Sequence, residues 1–127
     1  MTSGPLATRA DATSTPSLSG FDSRLLYDIN HARAARGLRK LTVVAGTTDI
    51  AHHWSCHTAS TMTLAHNLNL SSQLVTHGSA LWTTYGENVG GLSSTYGADR
   101  LFRLYMNDAP HRANILGKAF RYVGLWT

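Results

Sequence analysis

Seven histidines share this 127-residue chain with a single glutamate, Glu87, and a single cysteine, Cys56. The densest group is His52-His53-Trp54-Ser55-Cys56-His57. On a helix, His52 with Cys56 and His53 with His57 would each share one face, a spacing that could chelate a soft divalent metal. Such a two-point site needs further ligands from elsewhere and hydrogen bonds that orient the rings. Polar positions on a surface helix account for these residues more simply. Cys56 by itself reads as a small packing residue rather than a nucleophile. A second set is dispersed along the chain: Ala65-His66-Asn67, then Gly86-Glu87-Asn88-Val89, then Pro110-His111-Arg112-Ala113-Asn114-Ile115-Leu116. The glycines of the middle motif, with Gly90 and Gly91, lack the GxxxxGK[ST] and GxGxxG spacings, so they do not form a phosphate-binding loop.

Some scaffold must bring these segments together. Phe21, Leu25, Ile29 and Ala32 fall at helical spacing with Arg24, Asp28 and Arg36 on other faces, which predicts an amphipathic helix. Gly20 should break the chain before it, Asp22 and Ser23 supply capping side chains, and Gly37 can end it in a left-handed conformation. A short apolar run, Leu41 to Val44, follows. A second helix is expected from about Thr48 to Met62, with Ile50, Trp54 and Met62 on one face and Thr47, Thr48 or Asp49 as its cap. Residues 67–97 are rich in Ser, Thr, Gly and Asn and read as loop with at most a short strand. Ala98 to Asn107 returns to helical spacing through Leu101, Leu104 and Tyr105, and Pro110 should stop or kink that helix. Phe120 to Trp126 alternates as a strand does. Helices around scarce strands argue for an α+β or layered α/β/α domain.

Length and composition narrow the choices further. At 127 residues, with 43% hydrophobic and 14% charged residues, the chain suits one globular domain. No apolar stretch is long enough for a membrane helix, and one cysteine cannot make an internal disulfide. Residues 1–19, small, polar and rich in Ser, Thr and Pro, read as a flexible tether without an intact signal peptide, leaving 20–127 as the domain. A formal charge of +4 suits an anionic surface or ligand. Nothing prompts nucleic acid, because Arg33, Arg36, Arg39 and Lys40 crowd a helix end, where cations favour the dipole. Arg33 with Asn30 reads as a hydrogen-bonding scaffold pair.

The three dispersed motifs, preceded by Asn30-x-x-Arg33-x-x-x-Gly37-Leu38-x-x-Leu41, resemble the CAP superfamily of cysteine-rich secretory, antigen 5 and pathogenesis-related proteins. The likeness is to its bacterial secreted branch and runs from about Leu25 onward. It implies an α/β/α sandwich with a cleft where His66, Glu87 and His111 converge. His66 and His111 could hold a divalent cation, zinc or magnesium, with Glu87 orienting a ring or accepting a proton from bound water. Gly86, Gly90 and Gly91 would give the tight path that presents the acid, or simply serve a turn. His77 competes with His66 by its proximity to Glu87, but Ala65-His66-Asn67 fits the motif better. Eukaryotic members carry a second glutamate three residues after an aromatic. Here Asp108 stands three after Tyr105, either as a shorter substitute or as a helix-end cap. Family members also continue past Val-Gly with further strands. The end of this chain therefore suggests missing C-terminal strands, an unpaired edge and self-association through residues 120–126.

Two functions follow from the resemblance. One is a secreted binding or defence-related module for a lipid, cell-wall polymer or protein ligand. The other is a divalent-metal-dependent hydrolase in which His66 and His111 hold the cation, Glu87 is the base and Asp108 assists.

Overall fold

The structure, a computed structural model, describes residues 14–78 and 82–127. The expected tether falls mostly outside them. Its last part is engaged: the Ser14 carbonyl accepts the Ala45 N–H at 2.8 Å, and Leu18 packs against the core.

Helix α1 spans Gly20–Ala34, with Leu25, Ile29 and Ala32 buried as the apolar spacing requires. Its start differs from expectation. Ser19, in extended backbone, accepts the Asp22 N–H on its hydroxyl at 3.0 Å, so Gly20 lies inside the helix and Asp22 is not the cap. Asp22 is buried instead and accepts the Thr127 hydroxyl at 2.8 Å. At the other end Gly37 takes φ +69°, which lets Leu38 N–H reach the Arg33 carbonyl and Gly37 N–H the Ala34 carbonyl.

Strand β1, Thr42–Val43, pairs in parallel with β2, Tyr122–Val123, in the register Thr42 to Tyr122. Only these two residues of the expected 120–126 strand are extended into a ladder. Leu41, before β1, is held by the Asn30 amide, which donates to its carbonyl at 3.1 Å and accepts its N–H at 2.8 Å. Helix α2, Ala45–Thr61, begins earlier than Thr48 because the Val44 carbonyl already accepts the Thr48 N–H. No side chain caps it. Met62 ends it with φ 51° and is 92% exposed, so it does not share the buried face of Ile50.

A third helix, α3 (Leu70–His77), stands where the sequence reads as loop. Leu70 is its buried anchor against α2, and Asn67 organises its entry: Oδ1 accepts the Asn69 N–H and Nδ2 donates to Gln73. Serine and threonine mask this element, because their local hydrogen bonding lowers helix propensity. Helix α4, Ala98–Met106, buries Ala98, Leu101 and Tyr105 against α1. Leu104, expected on that face, is exposed. Pro110 does not end α4; it occupies the first turn of a new helix, α5 (Ala109–Ile115), where its missing N–H is no loss.

The architecture is α+β: five helices around a pair of very short strands among the described residues. Arg33 fastens it. Fully buried, its guanidinium donates to the carbonyls of Arg39, Ile115, Gly117 and Phe120 at 2.7 to 3.2 Å, joining the end of α1 to the segment that carries α5 into β2. Burial lowers its pKa from the ordinary value.

Candidate functional site

The Gly86-Glu87-Asn88 turn has no secondary structure of its own, and α5 holds it in place. Asn114 donates through Nδ2 to the Glu87 carbonyl at 3.0 Å and to Asn88 Oδ1 at 2.9 Å, and Asn88 donates to the His111 carbonyl at 3.1 Å. The approach is close enough that glycine is needed: a Cβ on Gly86 would lie 2.8 Å from Asn114 Oδ1, and one on Gly90 would lie 2.9 Å from the Tyr105 hydroxyl.

Glu87 projects from this turn, largely shielded from solvent. One oxygen, Oε1, meets His66 Nδ1 at 2.8 Å and accepts the Asn67 N–H at 2.9 Å. The carboxylate therefore orients the ring and anchors the backbone beside it. His111 repeats the pattern on α5, with Nδ1 2.6 Å from Asp108 Oδ2. The same aspartate caps α5 by accepting the His111 N–H at 3.4 Å. In each pair the carboxyl oxygen engages Nδ1, which leaves Nε2 as the imidazole's outward atom. The His66 side chain is 60% exposed and that of His111 27%.

Tyr105, read from the sequence as a packing residue, links the pairs. Its ring lies 4.9 Å from that of His111, and its pKa is pushed up to about 12 by burial and by the nearby Glu87 carboxylate. It stays a neutral phenol over the physiological range. Its place three residues before Asp108 was the available signal. Asn67, Asn88 and Asn114 were also visible, inside the motifs, but their roles as braces depend on contacts made across the fold.

The other candidates lie apart. Glu87 engages His66, while His77 is the last residue of α3. In α2, His52 stacks on Trp126 at 3.7 Å, His57 on Trp54 at 4.8 Å, and Cys56 is buried. Among the described residues, no three His, Cys, Asp or Glu side chains converge in a set able to hold a metal ion. A carboxylate on Nδ1 is an arrangement that orients metal-bound imidazoles. Without a third ligand, however, His66 and His111 do not fit an ordinary zinc site.

A family model for CAP, the cysteine-rich secretory protein family, matches residues 26–126. The chain belongs to the CAP family. A search of the curated proteins and one of the solved structures each found no match. The matched span holds the whole arrangement, from Asn30 and Arg33 through His66 and Glu87 to His111. Despite the family's description, this CAP domain has one cysteine, so packing and buried polar contacts such as those of Arg33 hold it together. Among the described residues, no helix is long and apolar enough to cross a membrane.

Proposed function

We propose that this CAP domain works outside the cell, as in the secreted bacterial branch it resembles, as a binding module for a lipid, a cell-wall polymer or a protein. Its contact surface is formed by His66 and His111, on the layered α/β/α scaffold implied by the resemblance. The observation that carries this reading is the paired anchoring of the two imidazoles. Each has its Nδ1 committed to a carboxylate, so each offers Nε2 outward in a fixed orientation at little entropic cost. The neutral Tyr105 ring lies beside His111, and the shielded Glu87 anchors the backbone next to His66. The metal-dependent hydrolase reading has less support, since a cation would have only two imidazoles and no convergent third ligand.

Binding of the purified protein to cell-wall polymers and to lipid vesicles, measured at physiological salt for wild type, His66→Ala and His111→Ala, tests the proposal. Binding by wild type and weaker binding by both variants is the expected result. No binding to any of these surfaces, or equal binding by all three proteins, would remove it. Calorimetric titration with zinc and magnesium on the same proteins addresses the second reading: metal uptake lost in either variant would restore the hydrolase.

A further inference from the structure

One hollow in the fold shares no lining residue with the His66–Glu87 and His111–Asp108 pairs. It measures about 630 Å³ and lies where the start of α4 meets α1, with Arg24, Tyr96, Asp99, Arg100 and Arg103 on its walls. Three guanidiniums on one concave surface would repel each other unless something offsets their charge. The protein matches one of them by direct ion pairing. Arg24 reaches Asp99 through Nε at 2.8 Å and Asp28 at 3.3 Å, so its charge is matched within the fold. The Asp28 carboxyl is raised by its burial and by its hydrogen bond with Asp99. Asp99 is held low by that bond, by Arg24 and, last among its causes, by the charge of Arg103, so it stays ionised and tied to Arg24. Arg100 and Arg103 are exposed, and among the described residues no carboxylate lies within ion-pairing distance of either.

Arg100 is also not arranged as an ordinary solvated side chain. Arg100 lies over the Tyr96 ring, 5.1 Å from its centroid, a cation–π contact that restrains the long side chain on the wall of the hollow. Tyr96 is itself half exposed, giving the hollow an aromatic wall beside its cationic one. A planar fork of donors matches the paired oxygens of a phosphate or carboxylate, and an exposed tyrosine suits the carbon face of a sugar or polyol. The volume exceeds what one small anion requires, so an extended chain carrying regularly spaced anionic groups fits best.

We infer that the Arg100–Arg103 hollow is a second binding site, separate from the His66–His111 surface, for the anionic groups of an acidic cell-surface polysaccharide or polyol polymer. It goes beyond the function proposed above and stands if that reading fails. Two probes separate the two sources of such charge: poly(glycerol phosphate), which carries phosphodiesters, and polygalacturonate, which carries carboxylates. Dextran serves as the neutral control.

Binding is measured by calorimetry at low and at physiological salt. Wild type should bind at least one of the two anionic probes and leave dextran unbound, with affinity falling as salt rises. Arg100→Ala/Arg103→Ala should bind about tenfold more weakly or worse, and Arg100→Lys/Arg103→Lys, which keeps the charge but loses the fork, should fall between them. Arg39→Ala/Lys40→Ala removes the same formal charge beyond the far end of α1 and should bind as wild type does. All four positions in the double variants are exposed, and thermal unfolding checks that each variant folds. No binding by wild type at low salt overturns the inference. So does an equal loss in the two alanine pairs, which would mean that overall charge rather than the hollow attracts the polymer.

Discussion

Arg33 shows how a single residue can carry a structural burden that its charge would not suggest. A buried cation is tolerable only when its donors are used, and here four main-chain carbonyls from two distant segments use them. Arg33→Ala should therefore leave those carbonyls without a donor and open a cavity, costing about 3–5 kcal/mol. Urea denaturation with a constant slope would measure it. Arg33→Lys should recover only part, because one ammonium cannot present a planar fork to four acceptors. Tyr105 makes a different statement. Its folded pKa, about 12, lies above the ordinary phenol value of 10. The folded state thus holds its proton after the unfolded state has lost it. The associated stability is complete below pH 10 and declines as pH rises toward 12. Ultraviolet titration of the phenols should show one tyrosine ionising late, and Glu87→Gln should bring that transition to lower pH. A transition unmoved by the substitution would mean that burial alone sets it.

At the scale of elements, α5 is where fold and site meet, since Asp108 caps the helix and holds the His111 ring. Asp108→Ala removes both contacts and should cost about 1 kcal/mol in thermal unfolding, whereas Asp108→Asn keeps a capping oxygen and should cost only a few tenths. If Asn proves as costly as Ala, the contact with His111 outweighs the cap. The sequence displayed α1 and α4 well because each buries a stripe whose spacing is set by the helix alone. It displayed His66, Glu87 and Asp108 as candidates because the resemblance marks their motifs. It concealed α3, since Ser71, Ser72 and Thr76 favour local bonds and only Leu70 is buried. It overextended β2, since Leu125 and Trp126 alternate like strand residues yet turn inward, Leu125 to the core and Trp126 onto His52. It could not show that Tyr105 joins His111, because that contact bridges two helices whose angle no local pattern determines.

Along the sequence, charge is unevenly distributed. Between Ile50 and Gly90, Glu87 is the only Asp, Glu, Lys or Arg, and this same stretch exposes Met62, Leu64 and Leu68 and contains five of the seven histidines. The arginines among the described residues lie elsewhere, around α1, α4, α5 and β2. A ligand that prefers apolar or imidazole contacts and one that prefers guanidinium would thus meet different parts of the domain. The same division bears on self-association. The last residues are tied down: Thr127 donates to Asp22, Ser55 donates to the Trp126 carbonyl at 3.1 Å, and Leu125 is buried. Among the described residues β2 pairs with β1 alone, and Tyr122 on it is half exposed. Any association through residues 120–126 therefore narrows to the outer edge of β2, two residues long, and should be weak. Sedimentation over a range of concentrations should show modest growth in mass, removed by Tyr122→Lys, which places a charge on that edge. Growth that persists in Tyr122→Lys but disappears in Leu64→Lys/Leu68→Lys would move the contact to the uncharged surface after α2.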